Sequence, residues 1–438
     1  MPVSHGNEHV RTTTSGPQPP AVVCSALTTR RHVVIGNGGA AVSAIESLRR
    51  SAPDDEITSV SREDCPAYSP VLTVYYIAGR IPYRGMFLCG ADFYRRLRVT
   101  KRWGQAATRV DTARQEVLLA DGSTVPYDTL LIATGSTPIK PPIPGADLPG
   151  VFTVWTAQDA LRLRRALARA QRVAVLGAGM IGLQVINALV SMGKQVVVVE
   201  LLERPAAQVV DATASALVER RLAQRHTELH FGERLVAITQ EGKRKRLSLA
   251  SGRESVVDAV VLSAGARPNV GLARGSGVAV GQGVLVDETC RTNVGNVFAA
   301  GDVAESADHV TGLQAIQPTW PNAIEQGRVA GNNMAGVPVV RLRHCRYNVF
   351  TVQGLACASL GAISASGDGW REHITQSPEQ YRKLVFRDGN LAGAVLVGDV
   401  SEAGVLLSCI ERQNSAGESP GGDGGWGAIA APFAWRWY

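Results

Sequence analysis

Two stretches of the chain repeat the same order of apolar and polar positions. Each begins with a short apolar run, HVVI in the first stretch and VAVL in the second, and passes through a Gly-rich turn into a segment with apolar residues at helical spacing. Further apolar runs follow, and some of them, such as VVVVE, are almost continuously β-branched. Continuous runs are typical of parallel strands buried on both faces of a sheet. The pattern therefore predicts two doubly wound, Rossmann-like dinucleotide-binding domains in tandem.

The pattern changes from about residue 338 onwards. Short strands, as in YNVFTVQG and YRKLVFRDGN, are followed by one helical segment, SEAGVLLSCIER. This order predicts a small α+β domain at the C-terminal end. The predicted fold class is therefore α/β, with two Rossmann-like dinucleotide-binding domains plus a small α+β C-terminal interface domain. Residues 1–29 and the Gly-rich residues 413–438 show no periodicity, which is typical of a disordered extension and an atypical tail.

Composition narrows the class of protein. The 438 residues are 45% hydrophobic and 19% charged, which is enough to build several cores. No apolar run reaches the roughly 18 residues of a membrane-spanning helix, and the first residues lack the charged-then-apolar order of a secretory signal. We therefore expect a cytoplasmic protein with no membrane span and no nucleic-acid partner. The net charge of +7 fits either an Arg-rich solvated surface or a surface that steers an acidic redox partner.

The seven cysteines are scattered along the chain. None of them is part of a C-x-x-C pair, so neither a zinc site nor an adjacent redox disulfide is predicted. We expect isolated reduced thiols and no bound metal.

The second Gly-rich turn reads G-A-G-M-I-G at residues 177–182, directly after the strand VAVL. In such a motif the first Gly permits a tight turn, the second lets the backbone approach a pyrophosphate, and the third lets helix and strand pack closely. Glu200 ends the next apolar run, where a carboxylate accepts a hydrogen bond from a ribose 2′-hydroxyl, so NADH is favoured over NADPH. The nearby Arg204 weakens that preference. The candidate NAD-binding residues are Gly177, Gly179, Met180, Ile181, Gly182 and Glu200.

The first Gly-rich turn carries the same motif as Gly36, Gly38 and Ala41 after HVVI. Ala is allowed at the third position because the contact there is close packing alone. The acid expected after the second strand is not fixed: Ser61, Glu63 and Asp64 are candidates, and we favour Glu63. Taken alone, this turn can hold any dinucleotide.

Three further segments complete an ordered set of motifs: IATG at 132–135, AGARPN at 264–269 and NVFAAGD at 296–302. With the two Gly-rich turns, they occur in the order and spacing of the FAD/NAD(P)-dependent pyridine nucleotide-disulfide oxidoreductase superfamily, which the chain resembles from about residue 30 to 410. The resemblance implies FAD at the first turn, a nicotinamide nucleotide at the second, and the ribityl chain of FAD at Asp302. It also implies a helix that begins near Trp320 and faces the flavin pyrimidine; the alternative is an ordinary capped helix in which Trp320 is a packing residue.

The resemblance extends the list of candidate residues and sets domain limits. It adds, for FAD, Ala133, Thr134, Gly135, Gly301, Asp302 and Trp320, and, for the nicotinamide nucleotide, Gly265. It implies an FAD-binding domain at 30–150 and 285–337, an inserted NAD-binding domain at 151–284 and a C-terminal interface domain at 338–412.

The chain departs from disulfide-reducing members of that superfamily. It has no cysteine pair after the second strand, Gln184 stands where a Glu is frequent, and no Lys precedes Lys101. Both halves of a buried Glu–Lys pair are thus missing together, which avoids an unpaired buried charge. The closest likeness is to a cysteine-lacking subgroup: rubredoxin and ferredoxin reductases, the flavin domain of nitrite reductase, and NADH:acceptor subunits of 2-oxoacid (phenylglyoxylate-type) dehydrogenases.

This likeness implies hydride transfer from NADH to FAD and electron transfer to an acceptor protein or iron–sulfur subunit. No catalytic side chain is predicted, because the chemistry belongs to the flavin. An NADH oxidase or small-molecule reductase acting on quinone or a disulfide stays open, as does a non-catalytic flavin sensor or assembly subunit. A homodimer and membership of a larger complex also stay open.

Overall fold

The computed structural model describes residues 29–90, 92–224, 227–341 and 345–413. The strands are β1 (Arg31–Ile35), β2 (Glu56–Ser61), β3 (Val99–Trp103), β4 (Ala107–Asp111), β5 (Glu116–Leu119), β6 (Thr124–Pro126), β7 (Thr129–Ile132), β8 (Ser136–Pro138), β9 (Val151–Thr153), β10 (Arg172–Leu176), β11 (Gln195–Val199), β12 (Thr227–His230), β13 (Leu235–Glu241), β14 (Arg244–Leu249), β15 (Glu254–Val257), β16 (Ala259–Leu262), β17 (Ala266–Pro268), β18 (Val284–Leu285), β19 (Val297–Ala299), β20 (Ala304–Ala307), β21 (Gln314–Ile316), β22 (Tyr347–Val352), β23 (Leu355–Gly361), β24 (Trp370–Gln376), β25 (Tyr381–Arg387) and β26 (Asn390–Val397).

The α-helices are α1 (Gly39–Ser51), α2 (Thr73–Ile77), α3 (Phe93–Arg96), α4 (Ala157–Leu167), α5 (Met180–Ser191), α6 (Ala212–Ala223), α7 (Trp320–Met334) and α8 (Ala403–Gln413). Short 3₁₀ helices occupy Pro70–Leu72, Tyr83–Met86 and Val270–Leu272.

The first sheet has the strand order β19-β7-β1-β2-β3, and all of its pairings are parallel. β1 and β7 are apolar on both faces and are almost completely buried, which is the pattern that predicted a covered parallel sheet. Helices α1 and α7 pack together on one face, and the small antiparallel sheet β4-β5-β6 helps to cover the other. Strand β19 and helix α7 enter this unit only after the whole second unit has passed in the chain.

The second sheet has the order β12-β11-β10-β16-β9, also with parallel pairings. Helices α4, α5 and α6 bury their apolar sides against one face, and the antiparallel sheet β13-β14-β15 covers the other. The Thr156 hydroxyl accepts a hydrogen bond from the Asp159 N–H at 3.0 Å and the Asp159 carboxylate caps the Thr156 N–H, so a capping box starts α4. Two Rossmann-like units with parallel sheets are therefore present, and the predicted α/β fold class is confirmed, although antiparallel strands rather than helices cover the second face of each sheet.

A two-stranded link joins the units where β8 pairs antiparallel with β17. The Asn269 side chain holds the same place: its amide donates to the carbonyl of Thr134 at 2.8 Å, and its side-chain oxygen accepts from the Thr137 hydroxyl at 2.7 Å. The ATG segment after β7 and the loop after β17 are thus fixed side by side.

The C-terminal region forms an antiparallel sheet with the order β22-β23-β26-β25-β24. Helix α8 packs on one face, and the other face adds Phe350, Val352 and Tyr381 to the apolar core of the second unit. A buried Lys383 ammonium bridges the Asp211 carboxylate, which caps α6, and the Glu372 carboxylate at 3.0 and 2.9 Å. This sheet is therefore attached mainly to the second unit.

In the described part of the chain no helix is long and apolar enough to cross a bilayer. Those same residues contain no group of three or more His, Cys, Asp or Glu side chains suited to a metal ion. The domain limits drawn from the sequence stay predictions. The predictions for the N-terminal extension and the Gly-rich tail fall, but for residues 29 and 413, outside the described residues.

Candidate dinucleotide-binding cleft

One cleft of about 3400 Å³ runs along the carboxyl ends of both parallel sheets. It exceeds the roughly 300–1,000 Å³ of an ordinary small-ligand pocket, as expected for a site that takes two dinucleotides. It brings together most of the residues predicted from the sequence: Gly36, Gly38, Glu63, Ala133, Thr134, Gly135, Gly177, Gly179, Met180, Ile181, Glu200, Gly265, Gly301, Asp302 and Trp320. Ala41 and Gly182 lie behind the wall and are buried.

The first turn has the backbone that a phosphate site needs. Gly36 has φ +122°, and a Cβ there would overlap the carbonyl oxygen of Ala133. Gly38 is the N-cap of α1, and a Cβ there would have no neighbour within 4 Å, so its α-carbon borders open cleft. Because the first N–H groups of a helix have no partner within the helix, the start of α1 suits a pyrophosphate.

The second turn repeats this geometry. Gly177 has φ +103°, and its added Cβ would overlap the Ser263 carbonyl oxygen, whereas Gly179 borders open space at the start of α5. A Cβ on Gly182 would overlap the carbonyl oxygen of Gly177, so this position admits only Gly. Both turns therefore fit a dinucleotide pyrophosphate.

Glu200 follows β11, half-buried on the cleft wall. Its carboxylate accepts hydrogen bonds from the N–H of Ala178 at 2.6 Å and of Leu202 at 2.8 Å. These bonds fix the carboxylate beside the Gly-rich turn, and each oxygen retains a further lone pair for a ribose hydroxyl. The Arg204 guanidinium donates instead to the carbonyls of Val210 and Ala207, at 2.9 and 3.3 Å. Arg204, the cation predicted to weaken the NADH preference, is therefore bound to backbone carbonyls and does not neutralise the Glu200 carboxylate.

Glu63 lies half-buried in the cleft after β2, and the Tyr68 hydroxyl donates to its carboxylate at 3.0 Å. Burial, and next the charge of Glu63, raise the pKa of Tyr68 well above its usual value, so this hydroxyl remains a donor. The role of Glu63 as an FAD ligand stays a prediction.

Asp302 ends the segment NVFAAGD deep in the cleft. The Ser136 hydroxyl donates to its carboxylate at 2.8 Å, and the Trp155 indole N–H donates to the Ser136 carbonyl at 2.9 Å. Burial raises the pKa of Asp302, an effect that the hydrogen bond from Ser136 opposes. A half-buried carboxylate with free lone pairs suits a chain of hydroxyl groups, which is the chemistry of the ribityl part of FAD.

Helix α7 begins at Trp320, packs against α1 and lines the cleft with its first residues. A Cβ on Gly39 would lie 2.7 Å from the Trp320 ring, so the indole rests directly on the first residue of α1. Trp320 therefore has both predicted positions, because its side chain lines the cleft and packs against Gly39.

The crossing of α1 and α7 was not foreseen from the sequence. Added Cβ atoms on Gly327 and Gly331 would clash with the carbonyl oxygens of Ala40 and Ala44. The signal that could have revealed it is the G-x-x-x-G spacing within QGRVAGNN, facing small residues of α1. Sequence reasoning also missed Ser136, Trp155, Asn269 and Gln326, whose side-chain oxygen accepts from the Gly301 N–H at 2.7 Å.

The Cys65 thiol in the cleft lacks the lowered pKa that disulfide chemistry requires. Cys65 lines the cleft, and burial, with smaller effects of Glu63 and Asp64, raises the pKa of its thiol to about 11. Reactive redox thiols have lowered pKa values. Within the described residues all the cysteines are free. The Gln184 amide lies 3.4 Å from the Thr351 carbonyl of the C-terminal sheet.

Comparison with known proteins extends these observations. A family model described as pyridine nucleotide-disulphide oxidoreductase matches residues 30–327, and a model described as the rubredoxin NAD+ reductase C-terminal domain matches residues 347–414. The chain is 32% identical over 394 residues to the epsilon subunit of NADH-dependent phenylglyoxylate dehydrogenase of Aromatoleum evansii, covering 89% of this chain and 93% of that protein.

Two further matches agree. The chain is 30% identical to the assimilatory nitrate reductase electron transfer subunit of Bacillus subtilis (strain 168), covering 88% of this chain and 49% of that protein, and so spans about half of that relative. The structure of an NAD-dependent persulfide reductase from A. fulgidus superposes with a TM-score of 0.81 and 29% identity, over 87% of this chain and 76% of that one. Two Gly-rich turns border one cleft, and the family model matches most of the chain. The chain therefore belongs to the pyridine nucleotide-disulphide oxidoreductase family, whose members are NAD(P)H oxidoreductases that use FAD.

Proposed function

We propose that the chain oxidises NADH with FAD and passes the electrons to a separate acceptor protein or subunit of the iron–sulfur type. The single observation that carries this proposal is a cleft with two phosphate-binding turns but no reactive thiol. Cys65 has a raised thiol pKa, and no described cysteine forms a disulfide. Electrons that leave such a site have no built-in disulfide to reduce.

The chain's own residues divide into two sets. Gly36, Gly38 and the start of α1 would hold the FAD pyrophosphate, and Asp302 the ribityl hydroxyls. Gly177, Gly179 and Glu200 would hold NADH. When bound, these cofactors supply hydride transfer and onward electron transfer, while the protein orients them and excludes water.

NADH is the proposed donor. A 2′-phosphate would lie against the fixed Glu200 carboxylate, and its charge would be repelled. Arg204, the cation on the same loop, donates to backbone carbonyls and leaves the carboxylate uncompensated.

The acceptor follows from chemistry and from the relatives. The proteins matched include a dehydrogenase subunit and an electron transfer subunit, which supports a protein acceptor. We propose that the chain acts as a subunit or homodimer in the cytoplasm.

The test is anaerobic mixing of the purified, FAD-loaded protein with NADH. Flavin absorbance should bleach within seconds, and turnover should then require a ferredoxin or rubredoxin rather than oxygen, quinone or a disulfide. Absence of bleaching would refute the reductase activity. Fast turnover with oxygen alone would replace the carrier-dependent function with that of an oxidase.

A further inference from the structure

A polar cluster lies buried behind the first turn of α7, on the side away from the cleft. Its members are Ser306, Asp308, Gln317, Asn322 and Arg341, each less than 9% exposed. None of them lines the cleft wall. Their side chains nevertheless converge on the residues that begin α7.

Arg341 is the only cation named in this cluster. Its guanidinium donates to the Ser306 hydroxyl at 2.7 Å and to the side-chain oxygen of Asn322, and it lies 3.5 Å from the side-chain oxygen of Gln317. Among the described residues no carboxylate lies within salt-bridge distance, and Arg341 Nε is buried without a hydrogen-bond partner. A guanidinium stays charged inside a protein, so a buried positive charge lies here, on which the carboxylates of Asp308 and Glu325 act only through space.

The nearest carboxylate of the cluster is already committed. Asp308 accepts from the Gln317 amide at 2.8 Å and from the N–H groups of Val310 and Thr311 at 3.1 and 2.9 Å. Gln317 therefore separates Asp308 from Arg341 instead of letting them pair.

Asn322 connects this cation to the start of the helix. Its side-chain amide donates to the Gln317 carbonyl at 2.7 Å, so the first turn is held from behind at two points. The Thr319 N–H is used by the Gln317 carbonyl at 2.8 Å, and Pro321 has no N–H. The N–H groups left to the first turn are those of Trp320 and Asn322. Arg341 thus holds the residue that directly follows Thr319, Trp320 and Pro321, the residues of the helix start that line the cleft.

We propose that Arg341 is a positioning residue that fixes the N-terminal turn of α7 and adds a buried positive charge which favours the reduced, negatively charged flavin. This inference rests on the proposed function, since it needs FAD beside the start of α7. The N-terminal end of the α7 dipole and the Arg341 guanidinium both carry positive charge at this place. Both therefore stabilise an anion that lies at the start of the helix. Reduction of the flavin supplies that anion.

The experiment measures the flavin midpoint potential of yellow holoenzyme by anaerobic equilibration with a reference dye. Arg341→Gln should lower the equilibrium constant for flavin reduction by NADH about tenfold, which corresponds to about 30 mV for two electrons. Arg341→Lys keeps the charge and should stay within about threefold of wild type. Arg49→Gln, which removes a cation on α1 that donates to the backbone carbonyls of Leu97 and Pro53 outside the cleft, is the matched control and should leave the potential unchanged.

Two results would overturn the inference: an unchanged potential in Arg341→Gln, or equal losses in the Gln and Lys variants. If Arg341→Gln does not fold, Asn322→Asp decides, because it keeps an oxygen for Arg341 while placing negative charge at the helix start. It should also lower the equilibrium constant, and an unchanged value would refute the idea. Failure of the proposed function is distinct, since wild type itself would then not be reduced by NADH.

Discussion

The two Gly-rich turns have nearly the same backbone but different surroundings. At the first turn the Trp320 indole rests on Gly39, and α1 is pressed against α7 at Gly327 and Gly331. At the second turn α5 begins with Met180 and Ile181, which are only half-buried and border the cleft. The first turn is enclosed by a second helix and the second is open. Enclosure suits a resident cofactor, whereas openness suits a substrate that must leave after each turnover.

The third position of each motif gives the largest expected difference. Gly182→Ala places a Cβ on the Gly177 carbonyl oxygen, and we expect a loss of about 3 kcal/mol of unfolding free energy and of NADH binding. The reciprocal Ala41→Gly should cost only about 1 kcal/mol, the helix propensity difference, and should leave FAD bound. Thermal unfolding and flavin content measure both variants. Equal losses would contradict the asymmetry.

The second position tests occupancy without strain. Gly38 and Gly179 have ordinary negative φ, −92° and −77°, and open space at the Cβ, so Val should fold there and project into the cleft. Losing two charge-assisted hydrogen bonds to phosphate should weaken binding about 100-fold or more.

We expect Gly38→Val to emerge colourless, and Gly179→Val to retain FAD with a raised KM for NADH. Dithionite should still bleach Gly179→Val. The control is Gly295→Val, at an exposed glycine with open space outside the cleft, which should behave as wild type. A yellow Gly38→Val protein would break the assignment of FAD to the first turn.

The acids that follow the two turns should differ in effect. Glu200→Ala should raise the KM for NADH about tenfold to 100-fold through loss of charge-assisted bonds to ribose, with little change for NADPH. Arg204→Met should leave the NADH/NADPH ratio of kcat/KM unchanged, because Arg204 is bound to carbonyls. A shift of that ratio in Arg204→Met would show that the guanidinium reaches the nucleotide.

The smallest effect concerns the thiol in the cleft. With a pKa of about 11 against an ordinary value of 9.0, the Cys65 thiolate should be about 100-fold scarcer at pH 8 than that of an ordinary thiol. Alkylation should therefore be slow at pH 8 and accelerate as the pH rises towards 11. Cys65→Ser should keep the rate of NADH oxidation, and a marked loss would restore a role for sulfur.

Site residues could be predicted from the sequence where neighbouring residues of one motif require them. Gly182 is required by a contact with Gly177 within the same motif, whereas Gly36 and Gly177 contact the distant Ala133 and Ser263 but have positive φ, which a Gly-rich turn predicts locally. The fold class followed for the same reason. Ser136 and Trp155 could not be found in this way, because Ser136 reaches Asp302 across 166 positions. The bond from Tyr68 to Glu63 likewise depends on how the chain returns after β2, which no periodicity encodes.

Strand β19 and helix α7 have a consequence for biosynthesis. The second unit is continuous in the chain from β9 to β17. The first unit lacks its edge strand β19, and helix α7 that packs beside its Gly-rich turn, until residue 334 has been synthesised. During translation the second unit can complete its sheet before β19 and α7 of the first unit have been synthesised. Flavin acquisition should therefore be a late event in the life of the nascent chain.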